Sequence, residues 1–315
     1  MNEKLEFPEW DYDCEDYNKK STIKVNQFNG QNTKWLNMYE KKFGTMTGIL
    51  SRSISRFSSK KVNLEKRTKR FGRINNSYLA NELANIHSGR DPSQKIYDRR
   101  VNAQRELYKN GIVLGLLLDQ SGSTRFDVND DLTRIDLIKS SALSIGQSIS
   151  KIGDSFFVYF YHTHRRSNPT IMEEILREDE VWSENIEKKI AALEETSDTE
   201  YFNNKDGVAI RFMNEKLLTS PFQNKYLFIL TDGTPNCDND YYQDEYAFED
   251  TKKALEEGKE KEIKNIYLTI NPKSEAKEFM EFIRSQIRFG KVYTKMEDIV
   301  CGLTEVYEMI KEKRI

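Results

Sequence analysis

Residues 112–315 alternate apolar, strand-like runs with segments of helical spacing. Ile112–Leu118 is one continuous apolar run and Lys225–Leu230 is another. Such runs read as strands buried on both faces of a parallel sheet. Arg134–Ile152 places Ile135, Ile138, Ala142, Ile145 and Ile149 on one helical face. Ser155–Tyr161, SFFVYFY, is aromatic and β-prone, while Trp182–Leu193, Val208–Leu218 and Asp244–Glu257 carry helical spacing. Ile263–Ile270 is a further strand, stopped by Asn271-Pro272. Ala276–Ile287 and Met296–Lys311 are amphipathic helices around a short strand at Lys291–Tyr293. The alternation predicts an α/β fold: a doubly wound, mostly parallel sheet with helices on both faces.

The first 111 residues follow a different pattern. Leu36, Tyr39, Phe43, Met46, Leu50, Ile54 and Phe57 recur at steps of three and four, which predicts one long helix over Trp35–Phe57 despite Gly44 and Gly48. Ser58–Arg73 is a basic connection, Tyr78–His87 a second short helix, Gly89–Ser93 a turn, and Lys95–Leu107 either extended or helical. The expected division is a mainly helical N-terminal extension over 1–111 and an α/β domain over 112–315. The acidic, aromatic segment Glu6–Tyr17 contains Trp10 and Tyr12, which favour packing or a partner contact over disorder.

Composition narrows the class. Charged residues make up 32% of the chain and mean hydropathy is −0.75, values of a very polar protein that still has enough apolar residues, 37%, for one core. A net charge of −2 gives no global pull toward nucleic acid or a membrane surface. Cys14, Cys237 and Cys301 are odd in number and far apart, as in reduced thiols rather than a disulfide frame or zinc site. No apolar run reaches the ~18 residues of a membrane span. The N-terminal MNEKLEFPEWDYD is unlike a signal peptide. These readings predict a cytoplasmic protein.

The chemistry lies where the two apolar runs end. Leu116–Thr124, LLLDQSGST, closes on Asp119 with Ser121 and Ser123 at two-residue steps, and Tyr226–Gly233, YLFILTDG, closes on Asp232. Ligands collect at the carboxyl ends of strands in open α/β sheets. Asp, Ser, Ser and Asp offer only hard oxygens, which suit Mg²⁺, Mn²⁺ or Ca²⁺. Gly122 suits a tight loop.

A DxSxS run followed by a distant strand ending in TDG resembles the von Willebrand factor A (VWA) domain, over about residues 112–315. The resemblance implies a metal-ion-dependent adhesion site in which Ser121 and Ser123 bind the metal directly, Asp119 acts mainly through water, and Asp232 is the later aspartate. Where that family has a threonine, this chain has FNNKDGVAI at Phe202–Ile210; spacing back from Ala209 puts Asn204 in that position, and Asp206 either replaces it or caps the following helix. FPEWDY at Phe7–Tyr12, GRDPSQKIY at Gly89–Tyr97, DGVAIR at Asp206–Arg211 and the tyrosines after TDGTPNCD are similar to the bacterial nitric-oxide-reductase activation (NorD-type) proteins, with the cobaltochelatase CobT-type subunits as relatives. That resemblance implies work with a MoxR-type AAA+ ATPase.

Two classes of function follow. In the first, Asp119, Ser121, Ser123 and Asp232 hold Mg²⁺ with one position open to an Asp or Glu of a MoxR-type ATPase or of a client protein, and the chain is not an enzyme. In the second it is an enzyme: aspartyl-phosphate phosphatases also end an apolar strand in Asp beside a metal. They carry a second Asp two residues on as general acid; Ser121 stands there and cannot supply that proton. No GxxxxGK[ST] is present, so ATP hydrolysis falls to another protein. An accessory chelatase subunit is the alternative binding role. His162 and His164 read as solvated strand-end histidines rather than zinc ligands. Cys237 lacks a base to make it a nucleophile.

Overall fold

In the computed structural model the described residues are 4–55, 65–68, 73–74, 76–91, 97–99, 111–129, 132–152, 154–164, 169–194, 203–233, 235–237, 241–270, 291–293 and 296–311. The expected helix at Ala276–Ile287 and most of the basic run Ser58–Arg73 lie outside them. Two compact units emerge, one of residues 1–58 with 112–315 and one of residues 59–111.

The first unit opens with two strands, β1 (Lys4–Asp11) and β2 (Asp16–Gln27), followed by helix α1 (Thr33–Ser55). In β1 every second residue turns inward: Leu5 and Phe7 pack on the core and Glu9, in phase with them, is fully buried. The paired strand β2 turns Ser21, Ile23 and Val25 the same way. The 59–111 unit contains β3 (Glu65–Thr68), β4 (Arg73–Ile74), helix α2 (Asn76–His87) and β5 (Tyr97–Arg99), its strands ordered β3-β5-β4.

From residue 112 the chain alternates strands and helices as its pattern predicts, with a further strand at Pro169–Leu176 that the pattern does not show. β6 (Ile112–Asp119) leads through a 3₁₀ turn (Gly122–Arg125) and the short strands β7 (Asp127–Asn129) and β8 (Leu132–Thr133) into α3 (Arg134–Ile152). Then come β9 (Ser155–Thr163), β10 (Pro169–Leu176), α4 (Glu184–Ala191), α5 (Asp206–Thr219), β11 (Asn224–Thr231), α6 (Asp244–Glu260), β12 (Ile263–Ile270), β13 (Lys291–Tyr293) and α7 (Met296–Lys311). The main sheet runs β1-β2-β10-β9-β6-β11-β12-β13. β9, β6, β11, β12 and β13 are mutually parallel, β10 is antiparallel to β9, β2 is parallel to β10, and β1 is antiparallel to β2.

Both faces of β6 are buried, which is why it reads as an unbroken apolar run. Ile112, Leu114, Leu116 and Leu118 face a core shared with α1, α3 and α7, while Val113 and Leu117 face one shared with α5 and α6. The first 111 residues are therefore not the mainly helical extension that their spacing predicts. The long helix is present, but β1 and β2 extend the main sheet, and α1 packs on α3 and α7 as part of the core layer. Among the described residues, no helix is long and apolar enough to cross a membrane.

Candidate metal site at the ends of two parallel strands

β6 and β11 are adjacent and parallel, with Leu118 opposite Leu230. The chain after β6 returns to the sheet as β9 on one side, while β11 lies on the other, so the crevice between β6 and β11 is a topological switch point. Asp119 and Asp232 arrive there from the two strands and both are fully buried. Asp119 accepts the Ser121 backbone N–H at 2.7 Å through Oδ1 and the Thr231 hydroxyl at 2.9 Å through Oδ2. The Ser121 and Ser123 hydroxyls lie 3.1 Å apart, and the Thr124 hydroxyl donates to the Ser121 carbonyl at 2.7 Å. The left-handed glycine of the site is Gly233, at φ +83°, rather than Gly122; a Cβ on Gly233 would come within 2.5 Å of the Thr269 methyl.

The third segment contributes differently. Asn204 turns its amide nitrogen toward the acids, donating to Asp206 Oδ1 at 2.9 Å and Asp119 Oδ2 at 3.5 Å, while its carbonyl oxygen accepts the Asn236 N–H at 3.2 Å. Asp206 is the first residue of α5, with Lys205 at the cap position. Its Oδ1 also accepts the Tyr161 hydroxyl at 2.6 Å, and its Oδ2 accepts the Tyr267 hydroxyl at 2.8 Å. Gly207 follows because a Cβ there would fall 2.1 Å from Asp250 Oδ2.

The electrostatics are those of a concentrated negative site. Burial raises the Asp119 carboxyl well above the usual range, and the Asp232 and Asp206 charges add to the rise. Burial likewise lifts Asp206 to about 6, with Asp232 adding and the Tyr161 and Tyr267 hydrogen bonds opposing. Arg134, the first residue of α3, donates from Nη1 to Asp232 Oδ2 at 3.0 Å and to the Ser123 carbonyl at 3.5 Å. Asp232 Oδ1 is buried and accepts no hydrogen bond among the described residues. Three of these contributors, Arg134, Tyr161 and Tyr267, escaped the sequence reading. An arginine opening a helix and tyrosines inside strands carry no spacing signal.

Among the described residues no group of three or more His, Cys, Asp and Glu side chains is arranged to hold a metal ion. The donor set here mixes two serine hydroxyls with carboxylates, and it includes a buried oxygen left over on Asp232. That chemistry fits a hard divalent cation. His162 is buried rather than solvated, and burial together with the neighbouring His164 charge lowers it to about 4. Cys237 is buried against Tyr242, Tyr246 and Ala247.

No protein-family model matches the chain. It is 30% identical over 177 residues to "Protein NorD" of Brucella suis biovar 1, which covers 56% of this chain and 27% of that protein. "Protein NorD" of Stutzerimonas stutzeri is 30% identical over 156 residues, 50% of this chain and 24% of that one. The chain thus matches about a quarter of the length of these relatives, and the similarity supports a NorD-type relationship over about half of this chain. Among solved structures, the pilus adhesin SpaC of Lactobacillus rhamnosus GG superposes with a TM-score of 0.49 at 12% identity, over 65% of this chain and 31% of that one. The PilB minor pilin of Streptococcus sanguinis superposes with a TM-score of 0.47 at 14% identity, over 64% and 62%.

Proposed function

We propose that this chain is a non-catalytic, cation-dependent protein-binding module of VWA type, an accessory protein that acts with a MoxR-type AAA+ ATPase on a client such as a nitric-oxide reductase. The observation that carries the reading is the meeting of Asp119, Ser121, Ser123 and Asp232 at the ends of two adjacent parallel strands, with Asp232 Oδ1 buried and unused. Asp232, Ser121 and Ser123 would hold Mg²⁺ or Mn²⁺ directly. Asp119, already fixed by Ser121 and Thr231, would act as an outer anion; Asn204 would support it by donating its amide N–H, and Asp206 would hold that amide in place. A bound divalent cation would supply charge neutralisation and one open position for a carboxylate from outside the chain.

The residues themselves do the positioning. Thr231 and the Ser121 N–H fix the Asp119 carboxylate, and Tyr161 and Tyr267 fix Asp206, so the acids stay oriented while crowded. Nothing in the cluster provides a general acid at Ser121, which favours binding over phosphoryl chemistry. The test is calorimetric titration of Mg²⁺ and Mn²⁺. Wild type binds one ion; Asp119→Asn and the Ser121→Ala, Ser123→Ala double variant weaken that binding at least about tenfold, since each removes a charge or two direct oxygens. Equal affinity in all three folded chains would overturn the assignment.

A further inference from the structure

The cluster carries its own cation. Arg134 stands at the start of α3 and reaches both loops of the site, Asp232 through Oδ2 and Ser123 through its carbonyl. The Arg134 and Asp232 side chains are 7% and 0% exposed, so this is a buried ion pair. The guanidinium also lies over the Phe126 ring, 5.6 Å from its centroid. Lys205, next to Asp206, sends its ammonium elsewhere, to Glu9 at 3.1 Å. Asp232 is thus half engaged: one oxygen serves Arg134 and the other accepts no hydrogen bond among the described residues.

We propose that Arg134 is a resident counter-ion of the site, neutralising Asp232 when no divalent cation is bound and competing with that cation for the same carboxylate. The proposal rests on the reading of this crevice as a cation site. Its physics is simple. A buried carboxylate needs a partner, and Arg134 supplies one without a metal. A divalent cation that approaches the unused oxygen of Asp232 meets a fixed positive charge on the other oxygen, and like charges at this range repel strongly in a buried setting. Arg134 therefore stabilises the cation-free state and lowers affinity for the ion, so that loading depends on divalent-ion concentration and on whatever ligand accompanies the ion.

The alternative is that Arg134 only anchors Asp232 in a productive orientation, and the two roles predict opposite signs. Mg²⁺ and Mn²⁺ titrations of wild type, Arg134→Gln and Arg134→Lys separate them, together with thermal unfolding in EDTA and in excess Mg²⁺. Competition predicts that Arg134→Gln binds the ion about tenfold more tightly, because the neutral amide removes the opposing charge. Arg134→Lys keeps that charge and stays near wild type. In EDTA, Arg134→Gln unfolds at a lower temperature than wild type, Mg²⁺ returns more of that loss than it adds to wild type, and Asp232→Asn in the Arg134→Gln background restores part of it without metal. Equal or weaker ion binding by a folded Arg134→Gln chain overturns the competition and leaves the cation site standing. Absence of ion binding in wild type and both variants overturns the cation site and the competition together; in that case coupling between Arg134 and Asp232 in EDTA reports only an ion pair.

Discussion

Lys205 is fully buried between Asn204 and Asp206, and its ammonium is held by Glu9 at 3.1 Å and Ser21 at 3.3 Å. Glu9 also accepts the Ser21 hydroxyl and, at 2.5 Å, the Tyr241 hydroxyl. Removing one member of such a pair leaves the other as a buried, under-paired charge. Glu9→Gln and Lys205→Met should each cost about 3 kcal/mol in urea unfolding, and the double variant should recover much of it. Strictly additive losses would show that the pair is not coupled. His162 gives a pH signature. Its folded pKa, about 4, lies below the unfolded 6.5, so the unfolded chain takes up the proton first. The stability that neutral His162 contributes is complete above pH 6.5 and falls away as pH drops through the window to about 4, by up to about 3 kcal/mol. His162→Gln should flatten that part of the stability profile; an unchanged profile would show that other groups set it. At this scale the sequence made Asp119, Ser121, Ser123 and Asp232 visible, because strand-end position and two-residue spacing are local. It hid Glu9, Lys205 and Arg134, whose roles depend on partners 196 residues away for the first two and 98 for the third.

Among the elements, α1 and α3 meet through hydroxyls as well as through apolar side chains. The Tyr39 hydroxyl bonds Thr47 at 2.7 Å and Ser144 at 2.9 Å, Thr47 and Ser144 lie 3.0 Å apart, and Ser51 bonds Ser148 at 3.0 Å one turn further on. All five side chains are buried, and each hydroxyl has a partner on the other helix beside the bonds that Thr47 and Ser148 make to carbonyls of their own helix. Tyr39→Phe keeps the ring contact with Trp35 and should cost about 1 kcal/mol, whereas Ser144→Val should cost more by crowding the seam. Thermal or urea unfolding reads both; a neutral Ser144→Val would show that the seam has room. The helical period of Trp35–Phe57 gave the start of this element to within two residues, and its expected last two residues lie outside the described ones. The missing strands have an equally physical cause. β2 turns only Ile23 and Val25 inward as apolar residues, beside a buried Ser21, an alternation too short to mark a strand of its length, and β10 carries Ile171-Met172 and Ile175-Leu176 in pairs that fit neither period cleanly.

Across the whole molecule, parallel β6 and β11 place the candidate site at the carboxyl ends of two central strands, the position at which a partner's carboxylate would complete the proposed cation site. If the MoxR-type ATPase contact runs through that position, EDTA and Asp119→Asn should weaken co-purification to a similar degree, because both leave the incoming carboxylate without its cation. Retention unaffected by either treatment would move the contact to another face. The α/β class was legible in the alternation after residue 112, since the elements there, β10 apart, repeat their own short-range period. The extent of the sheet was not, because its two outer strands on one side, β1 and β2, are recruited from the N-terminal end of the chain.

That recruitment has a kinetic side. Thr22 of β2 lies opposite Pro169 of β10, and Trp10 donates its N–H at 2.7 Å to Asp250. Residues 4–27 therefore leave the ribosome long before the strand and helix that receive them exist. Closing loops of this length is entropically slow, so the hairpin should dock late, onto a sheet already organised around β6, β9 and β11. Until then Ile23 and Phe7 are exposed and Lys205 waits for Glu9, which makes the interval before docking the time when a nascent chain of this protein is most prone to associate wrongly or to be held by a chaperone. Pulse-labelled hydrogen exchange during refolding should show protection of residues 4–27 after that of 112–119, and simultaneous protection would place the hairpin in the folding nucleus instead.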